Sequence, residues 1–301
     1  IRSNASTRRI MLDVILALLP ATVAGTVIFG VRSLLVIFSC VASAVLSEFL
    51  FDKIAKKPNT VGDFSAALTG LLLGLNLHAA TPVWQCVVGS VFAIVVVKCF
   101  FGGLGCNFAN PAITARVMML ISFASTGATF AKPVIVDLET GATPLELITK
   151  NEISSLPSLR DMTLGLYGGA IGETCVIALL IGFVYLVARR VIHWETPVIF
   201  VATVYLLSLA FLGGNFELAL YEILSGGLLL GAIFMATDYV TTPITRTGRM
   251  LFALGCGVIT VLIRFLGAYP EGVSFAILIM NVFSPYLERW TMKKPLGGQK
   301  S

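Results

Sequence analysis

The sequence predicts an all-α polytopic membrane protein: about ten transmembrane helices in two inverted five-helix repeats, with one long extracytoplasmic loop. Three observations predict it. Of 301 residues, 57% are hydrophobic and only 12% charged, about half the charged share of an ordinary soluble domain. The apolar residues fall in runs of roughly twenty, the length at which a helix crosses hydrocarbon with its backbone groups satisfied internally, and they do not alternate as barrel strands would. The third observation is a repeat. ALTGLLLGLNLHAATP, residues 67–82, and ILSGGLLLGAIFMATDYVTTP, residues 223–243, share a Thr/Ser-Gly step, a Leu-Leu-Leu-Gly run and a closing Thr-Pro.

Taken in order, the first span, 10–29, follows Arg8 and Arg9, and the second, 32–51, leads into Lys53, Lys56 and Lys57. The third and fourth, 64–79 and 82–101, are divided at Pro82. The fifth, 108–123, contains Asn110-Pro111, a helix-start signal because Asn caps and Pro lacks only an N–H that the first turn leaves unpaired. A single Asn-Pro-Ala triplet excludes an aquaporin, which has two. After a polar interruption come 164–187, 197–212, 218–236, 250–266 and 272–288. Five spans on each side of that interruption make equivalent helices cross in opposite senses. The expected units are therefore a first membrane repeat at 1–123, an extracytoplasmic loop at 124–162, and a second repeat with its tail at 163–301.

Charge orients these spans. Arg2, Arg8, Arg9, Lys53, Lys56, Lys57, Lys98, Arg189, Arg190, Arg246, Arg249, Arg289, Lys293, Lys294 and Lys300 fall on one side. The short loops of the other side, near His78, Gly213 and Tyr269, carry no Lys or Arg, and a lone Arg32 abuts the remaining one. The positive-inside rule then predicts that both termini are cytoplasmic. The net charge of +5 is spread over many loops and forms no nucleic-acid stripe.

Inside the spans the ionisable residues are Asp13, Glu48, Arg116, Glu173, Glu222 and Arg264. Charge in hydrocarbon is costly, so each is a candidate for an ion path, a cofactor contact or a structural ion pair. Asp13 and Glu48 lie near inner ends and are expected to reach water. Gly70 and Gly74 against Gly226, Gly227 and Gly231 mark a pair of glycine-interrupted helices along an ion path, or helices packed closely through small residues. The six cysteines form no CxxC pair and have no histidine at metal spacing; they read as packing residues, with Cys106 in a glycine-rich break left open.

Several stretches carry a family resemblance: DLETGATP (137–144), GGLGCNFANPAITARVMMLISF (102–123), GAYPEGVSFAILIMNVFSPYLER (267–289), TRRIMLDVILALLPA (7–21) and MATDYVTTPIT (235–245). Together they resemble the RnfD family, a membrane component of the Rnf complexes, the bacterial ion-translocating ferredoxin:NAD oxidoreductases. The homologous NqrB component of the sodium-pumping NADH:quinone reductase is the alternative within that resemblance. The alternative outside it is a non-redox solute channel or transporter built on the same inverted repeat.

The resemblance implies a flavin-attachment motif, Asp-x-x-(Ser/Thr)-Gly-Ala-Thr, matched here by Asp137, Thr140, Gly141, Ala142 and Thr143. Thr143 would carry FMN through its phosphate, in an exposed and flexible acceptor loop. Pro144 would hold Thr143 extended, and Arg116 is a candidate flavin contact. The nearby STGATF, 125–130, has Phe123 where the motif needs Asp, which disfavours Thr129. The resemblance further implies a translocase component that does not catalyse the full reaction alone, coupled to Na⁺ or H⁺. It implies the other Rnf subunits (A, B, C, E and G) and a flavin transferase as partners, a place in the bacterial cytoplasmic membrane, and room for a second, noncovalent flavin such as riboflavin. Neither a nucleotide fingerprint nor an iron–sulfur cysteine cluster is present in the sequence.

Overall fold

The computed structural model describes residues 6–123, 143–150, 152–267 and 271–292, and among them all regular structure is helical. Asp137, Thr140, Gly141, Ala142 and the rival Thr129 lie outside the described residues. Helix α1, Thr7–Phe29, starts at Ser6, whose hydroxyl accepts from Arg9 N, and Gly30 at φ 76 joins it directly to α2, Val31–Ile54. Next come α3, Ser65–Leu75, and α4, Val83–Val91, which continues through π-helical turns, Phe92–Cys99. Asn110 caps α5, Pro111–Ser122, accepting from Ala112 N and Ile113 N with Pro in the first turn, as the sequence predicts.

Two short helices, α6 at Pro144–Thr149 and α7 at Leu159–Leu164, precede the second group. That group contains α8, Val176–Ala188; α9, Glu195–Phe211; and α10, Phe216–Leu224. It continues with α11, Leu228–Leu230 extended by π-helical Gly231–Met235; α12, Arg246–Leu266; and α13, Val273–Thr291. Each of the ten apolar runs contains a helix. By length and composition α1, α2 and α12 could each cross a membrane, and α10 with α11 makes a fourth candidate span broken by a bend of 60°. Helices α3, α4 with its π-helical extension, α5, α8 and α9 are apolar but shorter, at 10–17 residues.

The run 164–187 departs from expectation, being helical only from Val176. Residues 165–175, GLYGGAIGETC, take an irregular path of turns and bends in which Ile171 N donates to Leu77 O at 3.0 Å and Gly172 N to Leu75 O at 2.8 Å. Glycine makes that approach possible, since a Cβ on Gly172 would stand 2.6 Å from Leu75 Cβ. Protein groups satisfy these backbone donors, which is the condition a non-helical segment must meet to persist inside a bilayer.

The glycine pair also divides. Helix α3 runs unbroken through Gly70 and Gly74, which are close-packing positions on α2. A Cβ on Gly70 would lie 2.7 Å from Cys40 O and Val41 Cα, and one on Gly74 would lie 3.0 Å from Ile37 Cα. Gly231 likewise packs, its Cβ position 2.6 Å from Val273 Cγ1. The interruption falls at Ser225–Gly227, where Gly226 and Gly227 both adopt φ 67, a conformation open to glycine at little cost. Cys40, Cys86, Cys99 and Cys256 are buried packing residues, whereas Cys106 is exposed in the turn before α5.

Candidate functional site

Where the bend between α10 and α11 meets the irregular segment 165–175 and the end of α3, buried charges collect. Arg264 of α12 closes the C-terminal end of α10: Nη1 donates to Glu222 O at 2.6 Å and Glu222 Oε2 at 3.0 Å, and Nη2 donates to Ser225 O at 3.1 Å. A cation on orphan carbonyls matches the negative end of a helix. On the other side of the bend, the Glu173 carboxylate occupies a cradle made by two glycines. A Cβ on Gly169 would stand 2.8 Å from Oε1, and one on Gly227 would stand 2.9 Å from Oε2. Oε1 accepts from Ala170 N at 2.9 Å.

A second ion pair joins the two groups of helices. Arg116 Nη2 of α5 meets Glu271 Oε2 at 2.8 Å, just before α13, and Glu271 Oε1 is buried without a hydrogen-bond partner among the described residues. His78 Nδ1 lies 3.5 Å from Gly169 O, in the turn after α3. Of the six ionisable residues singled out in the spans, Arg116, Arg264, Glu222 and Glu173 thus converge here, with His78 and Glu271 added. No ion pair is formed by Glu173 among the described residues.

The other two, Asp13 and Glu48, do not reach water. Asp13 is buried and accepts from Tyr185 Oη at 3.0 Å and Arg189 Nη2 at 3.3 Å. Glu48 is 1% exposed and pairs with Lys98 at 2.5 Å, while Lys98 also donates to Ser65 Oγ at 2.6 Å. Thr60 Oγ1 lies 2.9 Å from both Glu48 Oε1 and Asp52 Oδ2. The reason is packing: the π-helical turns that end at Cys99 carry Lys98 onto α2, so a lysine counted among the charges of the cytoplasmic side becomes the buried counter-ion of Glu48.

Lys98 also lines a narrow cleft that opens between the two groups of helices. Its walls are apolar, with Leu72, Leu186 and Phe234, and its polar edge carries Asn107, Asn110, Thr69 and Asp238. Burial pushes the Asp238 carboxyl above the ordinary aspartate range, outweighing donation from Val240 N and Thr241 Oγ1.

The described end of the motif loop is Thr143. It is extended, at φ −76 and ψ 154, before Pro144, as expected, and its Oγ1 caps α6 by accepting from Glu146 N at 3.3 Å. Its exposure differs from expectation: Thr143 is 6% exposed. Leu145 explains this, since it docks α6 onto the bend, so close that a Cβ on Gly226 would collide with its Cδ1. Leu145 also lines a cleft of about 840 Å³ with Arg264, Phe211 and Phe265. The two phenyl rings stack with centroids 5.1 Å apart at 18°, and Arg264 Nε is buried without a partner among the described residues. The geometry engages Arg116 in the pair with Glu271.

Sequence reasoning missed Glu271, Gly169 and the inward turn of Lys98. A lone lysine inside VFAIVVVKCFF, paired in register with the glutamate of α2, was the available signal for the last.

Comparison with known proteins adds the lineage. A family model described as the NQR2, RnfD, RnfE family matches residues 1–297. The D component of the Na(+)-translocating ferredoxin:NAD(+) oxidoreductase complex of Acetobacterium woodii is 45% identical over 302 residues, covering 100% of this chain and 94% of the relative. Its counterpart in the proton-translocating complex of Clostridium ljungdahlii is 39% identical over 314 residues, covering 100% and 95%. The D component of an ion-translocating oxidoreductase complex from Stutzerimonas stutzeri is 39% identical over 331 residues, covering 98% and 93%.

Proposed function

The chain belongs to the NQR2, RnfD, RnfE family, and on that premise we propose that it is RnfD, the membrane electron-transfer component of an Rnf-type complex. In this reading it carries FMN esterified to Thr143 and serves ferredoxin:NAD oxidoreduction coupled to export of Na⁺ or H⁺. The observation that carries the reading is identity of 45% across the whole chain to a relative whose name states ferredoxin:NAD(+) oxidoreduction and Na(+) translocation. Its partners are the other subunits of the complex (A, B, C, E and G) and a flavin transferase.

The ten apolar helices act as spans in two inverted repeats. Both termini lie on the cytoplasmic side of the bacterial inner membrane and residues 124–162 lie outside it. The positive-inside distribution supports this orientation.

The residues present fit the flavin. FMN, when bound, supplies one- and two-electron redox chemistry, and the protein's part is position and polarity. Thr143 offers its hydroxyl from an extended backbone that Pro144 maintains. Because that hydroxyl caps α6, the transferase must first displace the cap, at a cost of about 1 kcal/mol. Beside it, Phe211 and Phe265 provide a flat apolar wall and the unpartnered Arg264 Nε a donor, so the cleft at the bend can seat an aromatic ring with a polar edge. The separate cleft at Lys98 and Asn107, with apolar walls and a polar edge, is the place this reading gives to a second, noncovalent flavin.

Ion movement in this reading follows the interface between the repeats, past Glu173 and the bend at Gly226. Gly70, Gly74 and Gly231 serve it by packing, holding α3 and α11 against their neighbours.

Denaturing electrophoresis followed by ultraviolet imaging tests the proposal, using chain expressed with its transferase. A fluorescent band that survives boiling and vanishes in Thr143→Ala supports it; a dark wild-type band contradicts it and leaves a non-redox transporter.

A further inference from the structure

We propose that the cleft between the α8–α9 turn and the start of α12 binds the phosphodiester headgroup of an anionic phospholipid. The cleft is open to solvent, and Val191, His193, Thr196, Tyr239, Thr242 and Arg249 are among its lining residues. None of the flavin or ion chemistry above is needed for the argument.

The first ground is uncompensated positive charge. Around this cleft Arg246 is neutralised by Glu195 at 2.7 Å, and Arg189 by Asp13 at 3.3 Å. Arg249 and Arg190 form no ion pair among the described residues. Arg249 spends Nη1 on Ile244 O at 2.5 Å, and its Nε is buried without a hydrogen-bond partner among the described residues. Arg190, next to the lining residue Val191, is held at φ 56, which fixes it in the turn. The first turn of the 21-residue α12 begins at the same place, capped at Gly248 N by Thr245, and adds the positive end of its dipole. Guanidinium donors with a helix N-terminus form a match for an anionic, acceptor-only group.

The second ground selects a lipid over a soluble phosphate. The surface around the cleft exposes Trp194 (54%), Tyr239 (52%) and Ile244 (74%). A soluble phosphate has nothing to bury against these groups, whereas the glycerol and upper acyl segments of a phospholipid do. Trp and Tyr favour the headgroup level of a bilayer, and basic pockets between helices on its cytoplasmic side suit anionic headgroups.

Native mass spectrometry of the purified complex provides the test, after exchange into mixed micelles of phosphatidylcholine and phosphatidylglycerol. The expected result is phosphatidylglycerol retained by the wild type and reduced at least about tenfold, the equivalent of about 1.4 kcal/mol, in Arg249→Gln. Arg190→Asn, which keeps a residue tolerant of positive φ, should lower retention in the same direction and guards against a folding defect at position 249. Equal retention by wild type and both variants would overturn the proposal. So would equal retention of phosphatidylcholine. Displacement of the lipid by glycerol phosphate at equal phosphate concentration would instead assign the cleft to a soluble phosphate, against the proposal.

Discussion

Replacing Arg116 by methionine should destabilise the protein by about 3 to 5 kcal/mol, the range for stranding one member of a buried ion pair. Arg116 is 4% exposed and its partner Glu271 16%, at 2.8 Å, with the second glutamate oxygen already unpartnered. The residual exposure of Glu271 places the expectation toward the lower end. Adding Glu271→Gln removes the stranded charge, so the double variant should recover part of the loss, with a coupling of about 1 to 3 kcal/mol in a double-mutant cycle. Equilibrium unfolding of the purified chain in mixed detergent, titrated with sodium dodecyl sulfate, measures all four corners. The loss belongs to packing between α5 and the start of α13, so the flavin bound to Arg116→Met should be unchanged per folded molecule. Additive single losses, or loss of the covalent flavin with stability intact, would refute the reasoning and return Arg116 to the cofactor.

Gly70→Val should cost about 1 to 3 kcal/mol through overpacking against the α2 backbone, while Gly62→Ala, whose Cβ would meet nothing within 4 Å, should be nearly neutral in the same unfolding assay. Glu48→Gln should destabilise by several kcal/mol because Lys98, 2% exposed, is left charged and buried; Lys98→Met combined with it should restore much of the loss. Asn110→Ala removes the cap of α5 and should lower stability by about 1 kcal/mol, read as a shift of the thermal midpoint.

Much of this architecture is legible in the sequence because a bilayer imposes it locally. Length and apolarity locate the ten long runs, each of which contains a helix, though not the short α6 and α7, and Asn110-Pro111 starts α5 by capping chemistry that needs no tertiary context. Residues 165–175 were not legible, since an apolar, glycine-rich string reads as a span until the carbonyls of Leu75 and Leu77 are there to receive its N–H groups. Gly70 and Gly227 look alike in the repeat and differ in place: one faces the α2 backbone, and the other opens a bend beside Glu173. The buried pair of Glu48 and Lys98 is a contact across 50 positions, invisible to any local pattern. A motif singles out Thr143, but its burial follows from Leu145 docking on Gly226, which no motif encodes.

The central claim is that Thr143 carries FMN, and peptide mass spectrometry of the chain made with its transferase tests it most directly. The predicted result is a peptide spanning residues 137–150 heavier by one FMN less one water, with fragmentation assigning the addition to Thr143 and no addition in Thr143→Ala. An unmodified peptide, or the same addition on Thr129, would contradict the account.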